Sequence, residues 1–229
     1  MTIVVSLTSW TKRIEQARAT VDDLLAQTRK PDIIELNLDL ENFPHGFMDT
    51  PKWVTEYVDK FDNFHVYFAE KDRKVYSKFV PTINRHAGEE YILITVDDDT
   101  CYPPTYIEEV ETNMKGYDWL CTKDDVITRG QEMVYGPNAV EALRNEIDDD
   151  MILNIPLDDH LNFWILQKYK LRRGHKIKSQ TSDRQAGYSF RRFFVECEDE
   201  SKLQDTTCEY PYEEFVKERQ YMQKRGIVK

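Results

Sequence analysis

The hydrophobic pattern begins with Ile3-Val4-Val5-Ser6-Leu7, a nearly continuous apolar and β-branched run. Such a run suits a strand buried on both faces, as in a parallel sheet. From Ile14 to Ala26 the apolar positions Ile14, Ala17, Val21, Leu24 and Leu25 fall at helical spacing. Pro31 closes that segment, and Ile33 to Leu38 reads as a second strand. Strand, helix, strand in this order predicts a βαβ unit. Phe43 to Pro51, with two prolines and a glycine, predicts a loop, followed by a short helix over Trp53 to Phe61. Phe64 to Phe68 alternates as a third strand, and Val80 to His86 fits a helix with Pro81 in its first turn.

Tyr91-Ile92-Leu93-Ile94-Thr95-Val96 is the clearest strand in the chain, and it runs directly into Asp97-Asp98-Asp99. Pro103-Pro104 opens a predicted helix ending near Met114. After that the pattern changes. Tyr117 to Thr122 and Gln131 to Tyr135 read as strands. Asn138 to Ile147 reads as a helix with Asn138 as its cap, and Asp158 to Tyr169 as another. From Lys170 onward charge and aromatics mix without a clear period. No repeat or linker interrupts the chain, so one α/β domain over 1–229 is expected. It has a mostly parallel central sheet flanked by helices and a mixed C-terminal half.

Composition changes this picture little. At 229 residues and 40% hydrophobic, the chain can bury a full core without disulfide or metal staples. Its net charge of −11 argues against nucleic acid or an anionic membrane as the main partner. A small anionic ligand stays open, because one bound cation reverses the local field. The scattered cysteines form no C-x-x-C pair and read as reduced thiols, with a Cys197–Cys208 bridge as the weaker alternative. The opening apolar run lacks the basic flank of a signal peptide, and no stretch reaches membrane-spanning length. A cytoplasmic protein is expected.

The candidate chemistry lies in the acidic triplet. Acidic runs are common as solvated turns, and Asp148-Asp149-Asp150 is read as one. Asp97 to Asp99 differ because they end a buried strand. Ligands meet an open α/β sheet at the carboxyl ends of its strands. Three like charges there repel unless a cation joins them. Carboxylate oxygens suit Mg²⁺ or Mn²⁺, whose remaining positions diphosphate oxygens commonly fill.

The triplet sits among further motifs. Val5 to Ile14 (VSLTSWTKRI), Gln27 to Asp32 (QTRKPD), Asp72 to Phe79 (DRKVYSKF) and Ile94 to Pro103 (ITVDDDTCYP) follow in order. Together they resemble the GT-A glycosyltransferases that carry a DxD motif. The resemblance is to small bacterial and viral members related to the inverting family 2, and it covers about residues 1–170. It implies a Rossmann-like GT-A domain with a donor half over 1–115 and an acceptor half and tail over 116–229. It implies a nucleoside-diphosphate sugar donor, with UDP as the expected nucleotide, and Mn²⁺ or Mg²⁺ as cofactor. By the same resemblance Asp97 and Asp98 face the nucleotide, and Asp99 with Asp98 holds the metal. Thr8, Ser9 and Arg13 line the nucleotide pocket, and Lys78 approaches the diphosphate or donor sugar. Residue by residue, Thr8 and Ser9 could instead cap the next helix, and Arg13 or Lys78 could be solvated charges.

Inverting transfer needs a base for the acceptor proton. Leu157 to Trp164 (LDDHLNFW) resembles the family's base-bearing segment, which implies Asp159 as base and Asp158 as the second candidate; the alternative is a helix-capping pair. A carboxylate at a helix N-terminus is held deprotonated by the dipole. His160 and His175 are available as a further metal ligand of the kind retaining members use. Val134 to Asn138 is similar to the acceptor-side loop and reads equally as an ordinary turn. The expected acceptor is a cell-surface or lipid-linked glycan. The basic segment 168–192, with Lys168, Arg172, Arg173, Lys176 and Arg192, leaves three readings: a solvated face, a diphosphate clamp, or an anionic acceptor such as DNA. A nucleotidyltransferase or sugar-nucleotide pyrophosphorylase is disfavoured because Thr8-Ser9-Trp10-Thr11 contains no glycine. A non-catalytic nucleotide-binding protein is disfavoured by the intact aspartates.

Overall fold

The computed structural model describes residues 1–121, 133–174 and 212–228. Among them, strands β1 (Thr2–Thr8), β2 (Ile33–Asp39), β3 (Phe64–Ala69), β4 (Tyr91–Thr95), β5 (Trp119–Cys121) and β6 (Met133–Tyr135) form one sheet in the order β3-β2-β1-β4-β6-β5. β3, β2, β1 and β4 are parallel, while β6 and β5 add an antiparallel edge. The helices are α1 (Ile14–Leu25), α2 (Lys52–Lys60), α3 (Val80–Arg85), α4 (Tyr106–Asn113), α5 (Pro137–Glu146), α6 (Asp149–Asn154), α7 (Asp158–Lys168) and α8 (Tyr212–Lys224). This is the mostly parallel α/β sheet flanked by helices that the sequence predicts.

Both faces of the central strands are covered, which explains their continuous apolar runs. One face carries Ile3, Val5 and Leu7 against residues of α1, α2 and α4, such as Val21, Trp53 and Ile107. The other carries Val4, Leu93 and Tyr135 against residues of α3, α5 and α7, such as Ile83, Leu143 and Ile165, and against Met222 of α8. The strand order reverses between β1 and β4, so the crevice outside their carboxyl ends is the switch point of the sheet.

Several local expectations change. Within the Phe43–Pro51 loop, Gly46–Asp49 closes a 3₁₀ turn. Gly136, not Asn138, is the cap residue of α5, with Pro137 in its first turn. The Asn138 side chain instead donates to Asp118 at 2.9 Å. Gly136 lies so close to the chain at Asp118 that a Cβ there would sit 3.1 Å from the Asp118 carbonyl oxygen. Asp148 is exposed as a surface position, and it also accepts from the Met151 amide at 2.8 Å, caps α6 and pairs with Arg225. The stretch after Lys170, read as aperiodic, contains α8. The antiparallel register sets Met133 toward Thr95 and Tyr135 opposite Leu93, so Gly136 to Asn138 lie toward the amino end of β4, away from Asp97. The similarity of Val134 to Asn138 to an acceptor-side loop therefore fails on position. His175, Cys197, Cys208 and the basic segment from residue 175 onward lie outside the described residues.

Candidate functional site

The chain leaves β4 through Val96, whose amide still bonds to the Ser6 carbonyl at 3.0 Å. The next turn is tied to α1 rather than left free. The Asp97 amide donates to the Tyr102 hydroxyl at 3.2 Å, and the Tyr102 amide donates to Asp23 at 2.9 Å. Thr20 donates to the Thr100 carbonyl at 2.9 Å. These bonds fix the backbone that presents the aspartates.

The three carboxylates meet different surroundings. Asp98 is buried; Ser9 Oγ donates to it at 2.6 Å, and Arg13 Nη2 lies 2.5 Å away. Burial pushes the Asp98 carboxyl up to about 6, against the pull of Arg13 and Ser9. The same Arg13 nitrogen lies 2.7 Å from Asp99, whose side chain is 28% exposed. Asp97, at 39%, is the most open of the three, with Lys78 Nζ at 3.5 Å. Lys78 also reaches Asp158, at 3.1 Å, although Asp158 lies eighty residues further along the chain. Both ends of that contact are largely buried. Burial alone would lower the Lys78 ammonium, but Asp158, Asp97 and Asp159 hold it well above the usual lysine range.

Lys78 ends a 3₁₀ turn, Lys74–Lys78, between β3 and α3. The Ser6 hydroxyl donates to its carbonyl and meets Thr82 at 2.8 Å, and Asn37 donates to both hydroxyls at 2.9 Å. The lysine is thus fixed to the centre of the sheet. Asp158 and Asp159 form the first turn of α7; Asp158 is buried and Asp159 half-buried. His160 is buried and turned to α8, where its Nδ1 lies 2.8 Å from Glu218.

Ser9, Arg13, Lys78, Asp97, Asp98, Asp99 and Asp158 therefore converge at the switch-point crevice, with Asp159 adjacent. Thr8 ends β1 beside them, but its hydroxyl donates to the Asn37 carbonyl at 2.7 Å. Neither Thr8 nor Ser9 caps α1, since Arg13 is its cap residue. The sequence reading assigned no role to Tyr102, Asp23 or Ser6. Tyr102 stood within the Asp-Asp-Asp-x-x-Tyr-Pro motif and was open to notice; Ser6 and Asp23 gave no local signal.

Among the described residues, no three His, Cys, Asp or Glu side chains gather to hold a metal ion. The donor set fits a hard divalent ion only where one or two carboxylates share it with a ligand's phosphate oxygens. Asp99 and Asp97 have the necessary exposure. Asp98 is turned inward onto Ser9 and Arg13.

No protein-family profile matches the chain, and no curated protein does. Solved structures share its fold. The crystal structure of S. aureus TarS 1–349 aligns with a TM-score of 0.53 at 11% identity, over 78% of this chain and 58% of that one. The mannosyltransferase PcManGT from Pyrobaculum calidifontis, in complex with GDP-Man and Mn²⁺, aligns with a TM-score of 0.51 at 11% identity, over 75% and 53%. The chain thus spans a little over half the length of each. The architecture is one found in a sugar transferase, with the acidic triplet at its switch point.

Proposed function

We propose that this protein is a glycosyltransferase that moves a sugar from a nucleoside-diphosphate donor to an acceptor hydroxyl. The observation that carries this reading is the convergence of Asp97–Asp99, Arg13 and Lys78 at the crevice between β1 and β4. The fold shared with a mannosyltransferase that was solved with GDP-Man and Mn²⁺ supports it. Asp97 faces the nucleoside side. Asp99 would hold a Mn²⁺ or Mg²⁺ ion, which when bound would supply Lewis-acid charge neutralisation at the diphosphate. Lys78 supplies fixed positive charge to the same phosphates, and Arg13 a guanidinium whose side chain can turn to them. Asp98, held by Ser9 and Arg13, orients the turn.

On the acceptor side, Asp159 takes the hydroxyl proton and the transfer inverts. Asp158 pairs with Lys78 at 3.1 Å, and the more exposed Asp159, in the first turn of α7, serves as the base. The acceptor in this reading is a surface or lipid-linked glycan. Among the described residues no helix is long and apolar enough to cross a membrane.

Calorimetric titration of UDP and GDP, with and without Mn²⁺, tests the donor site. Binding of at least one nucleoside diphosphate should tighten about tenfold or more with the metal. Absence of binding by any nucleoside diphosphate in the presence of Mn²⁺ would sink the reading.

A further inference from the structure

We propose that Arg13 is an internal counter-ion occupying the cation position of the donor site, so that a divalent metal loads there only together with a diphosphate. The inference rests on the donor-site reading above and adds a regulatory step to it. A single guanidinium nitrogen, Arg13 Nη2, lies 2.5 Å from Asp98 and 2.7 Å from Asp99. The side chains of Arg13, Asp98 and Asp99 are 16%, 9% and 28% exposed, so solvent screens this bridge weakly. Arg13 therefore neutralises the same carboxylate that a metal would use.

A guanidinium cannot lose its proton to make room. A metal that takes Asp99 must displace Arg13 or sit against a like charge. Displacement is confined to the side chain, because the Arg13 amide is bound to the Trp10 carbonyl at 2.9 Å at the entry to α1. A diphosphate changes the balance twice. Its oxygens give the freed guanidinium new acceptors, and they complete the coordination of the metal. Metal alone meets a competitor; metal with diphosphate does not. By reciprocity, each ligand strengthens the other. Without donor, the carboxylates stay neutralised and the protein does not scavenge metal.

The test is Mn²⁺ binding to the full chain, read as free-Mn²⁺ signal by electron paramagnetic resonance, first alone and then with UDP or GDP. Arg13→Gln should bind Mn²⁺ alone about tenfold tighter than the natural protein, and the enhancement by nucleotide should shrink by a similar factor. Thermal melting checks that the variant is folded. If Arg13→Gln does not fold, Arg13→Lys carries the test: its shorter side chain reaches the two carboxylates less well than Nη2 does, and it should bind Mn²⁺ alone about threefold tighter. Unchanged or weaker Mn²⁺ binding by the folded variant, while nucleotide still promotes metal binding in the natural protein, overturns the role of Arg13 and leaves the donor site standing. No Mn²⁺ binding by the natural protein with either nucleotide overturns both.

Discussion

A buried ammonium is tolerated only when its charge stays compensated, and Lys78 meets that condition through Asp158 at 3.1 Å and Asp97 at 3.5 Å. This separates the two adjacent aspartates of α7. Asp158→Asn removes the carboxylate nearest to Lys78. It should destabilise the protein by on the order of 2–4 kcal/mol, measured by chemical denaturation. Asp159→Asn removes a half-buried carboxylate and should cost less stability than Asp158→Asn. With a competent acceptor it should lower turnover by about a hundredfold or more, while nucleotide affinity holds within about threefold. Normal turnover in that variant would remove Asp159 as base. The sequence placed both aspartates at a helix start, and the helix begins there. It gave no means of telling which one pairs with a lysine eighty residues away, because that pairing depends on how α7 is laid across the sheet.

Among the elements, α8 and the short α6 went unmarked by the pattern, and α8 is the longer. Its hydrophobic residues are few, and its anchoring is partly polar. Met222 is fully buried and the nearby Ile227 nearly so, Tyr221 meets Asp150 at 2.5 Å, Arg225 pairs with Asp148, and Glu218 meets His160 at 2.8 Å. The helix therefore clasps α6 and the first turn of α7. Glu218→Ala withdraws the partner of the buried His160 Nδ1 and should cost about 1–3 kcal/mol. Hydrogen exchange should quicken in α7 and α8 together, leaving β1 to β3 protected. Equal exchange in α7 of both proteins would show that α8 is an independent appendage. β4 behaved in the opposite way: Tyr91 to Thr95 is buried throughout, and its composition alone marked it.

For the molecule as a whole, polar chemistry extends beneath the sheet. Glu35, in the middle of β2, is almost fully buried and is met by Arg85, by Thr82 at 2.6 Å and by His86 at 2.9 Å. Burial would lower the His86 imidazole, but bonds to Glu89 and Glu35 raise it above its ordinary value of 6.5. A group raised in this way stabilises the fold fully below its unfolded value and loses that contribution as pH rises through its folded one. The unfolding free energy should therefore decline as pH rises from the ordinary histidine value of 6.5 through the raised one. His86→Gln should flatten that decline in urea titrations at each pH, and an unaltered slope would assign the loss to other groups. Ser6, Glu35 and Asn37 carry no local sequence signal, yet they form the polar layer beneath Lys78. The sequence by itself determined the α/β order, the two-sided burial of β1 and β4, and the acidic triplet at the end of β4, because periodicity and steric preference act over neighbouring residues. Tertiary structure alone decided that Arg13 bridges Asp98 and Asp99, that Lys78 joins Asp97 to Asp158, that β6 carries Gly136 away from the crevice, and that α8 returns to His160. Those outcomes depend on which charges and hydroxyls the folded sheet brings within about 3 Å of one another, a distance that hydrogen bonding requires and sequence separation does not encode.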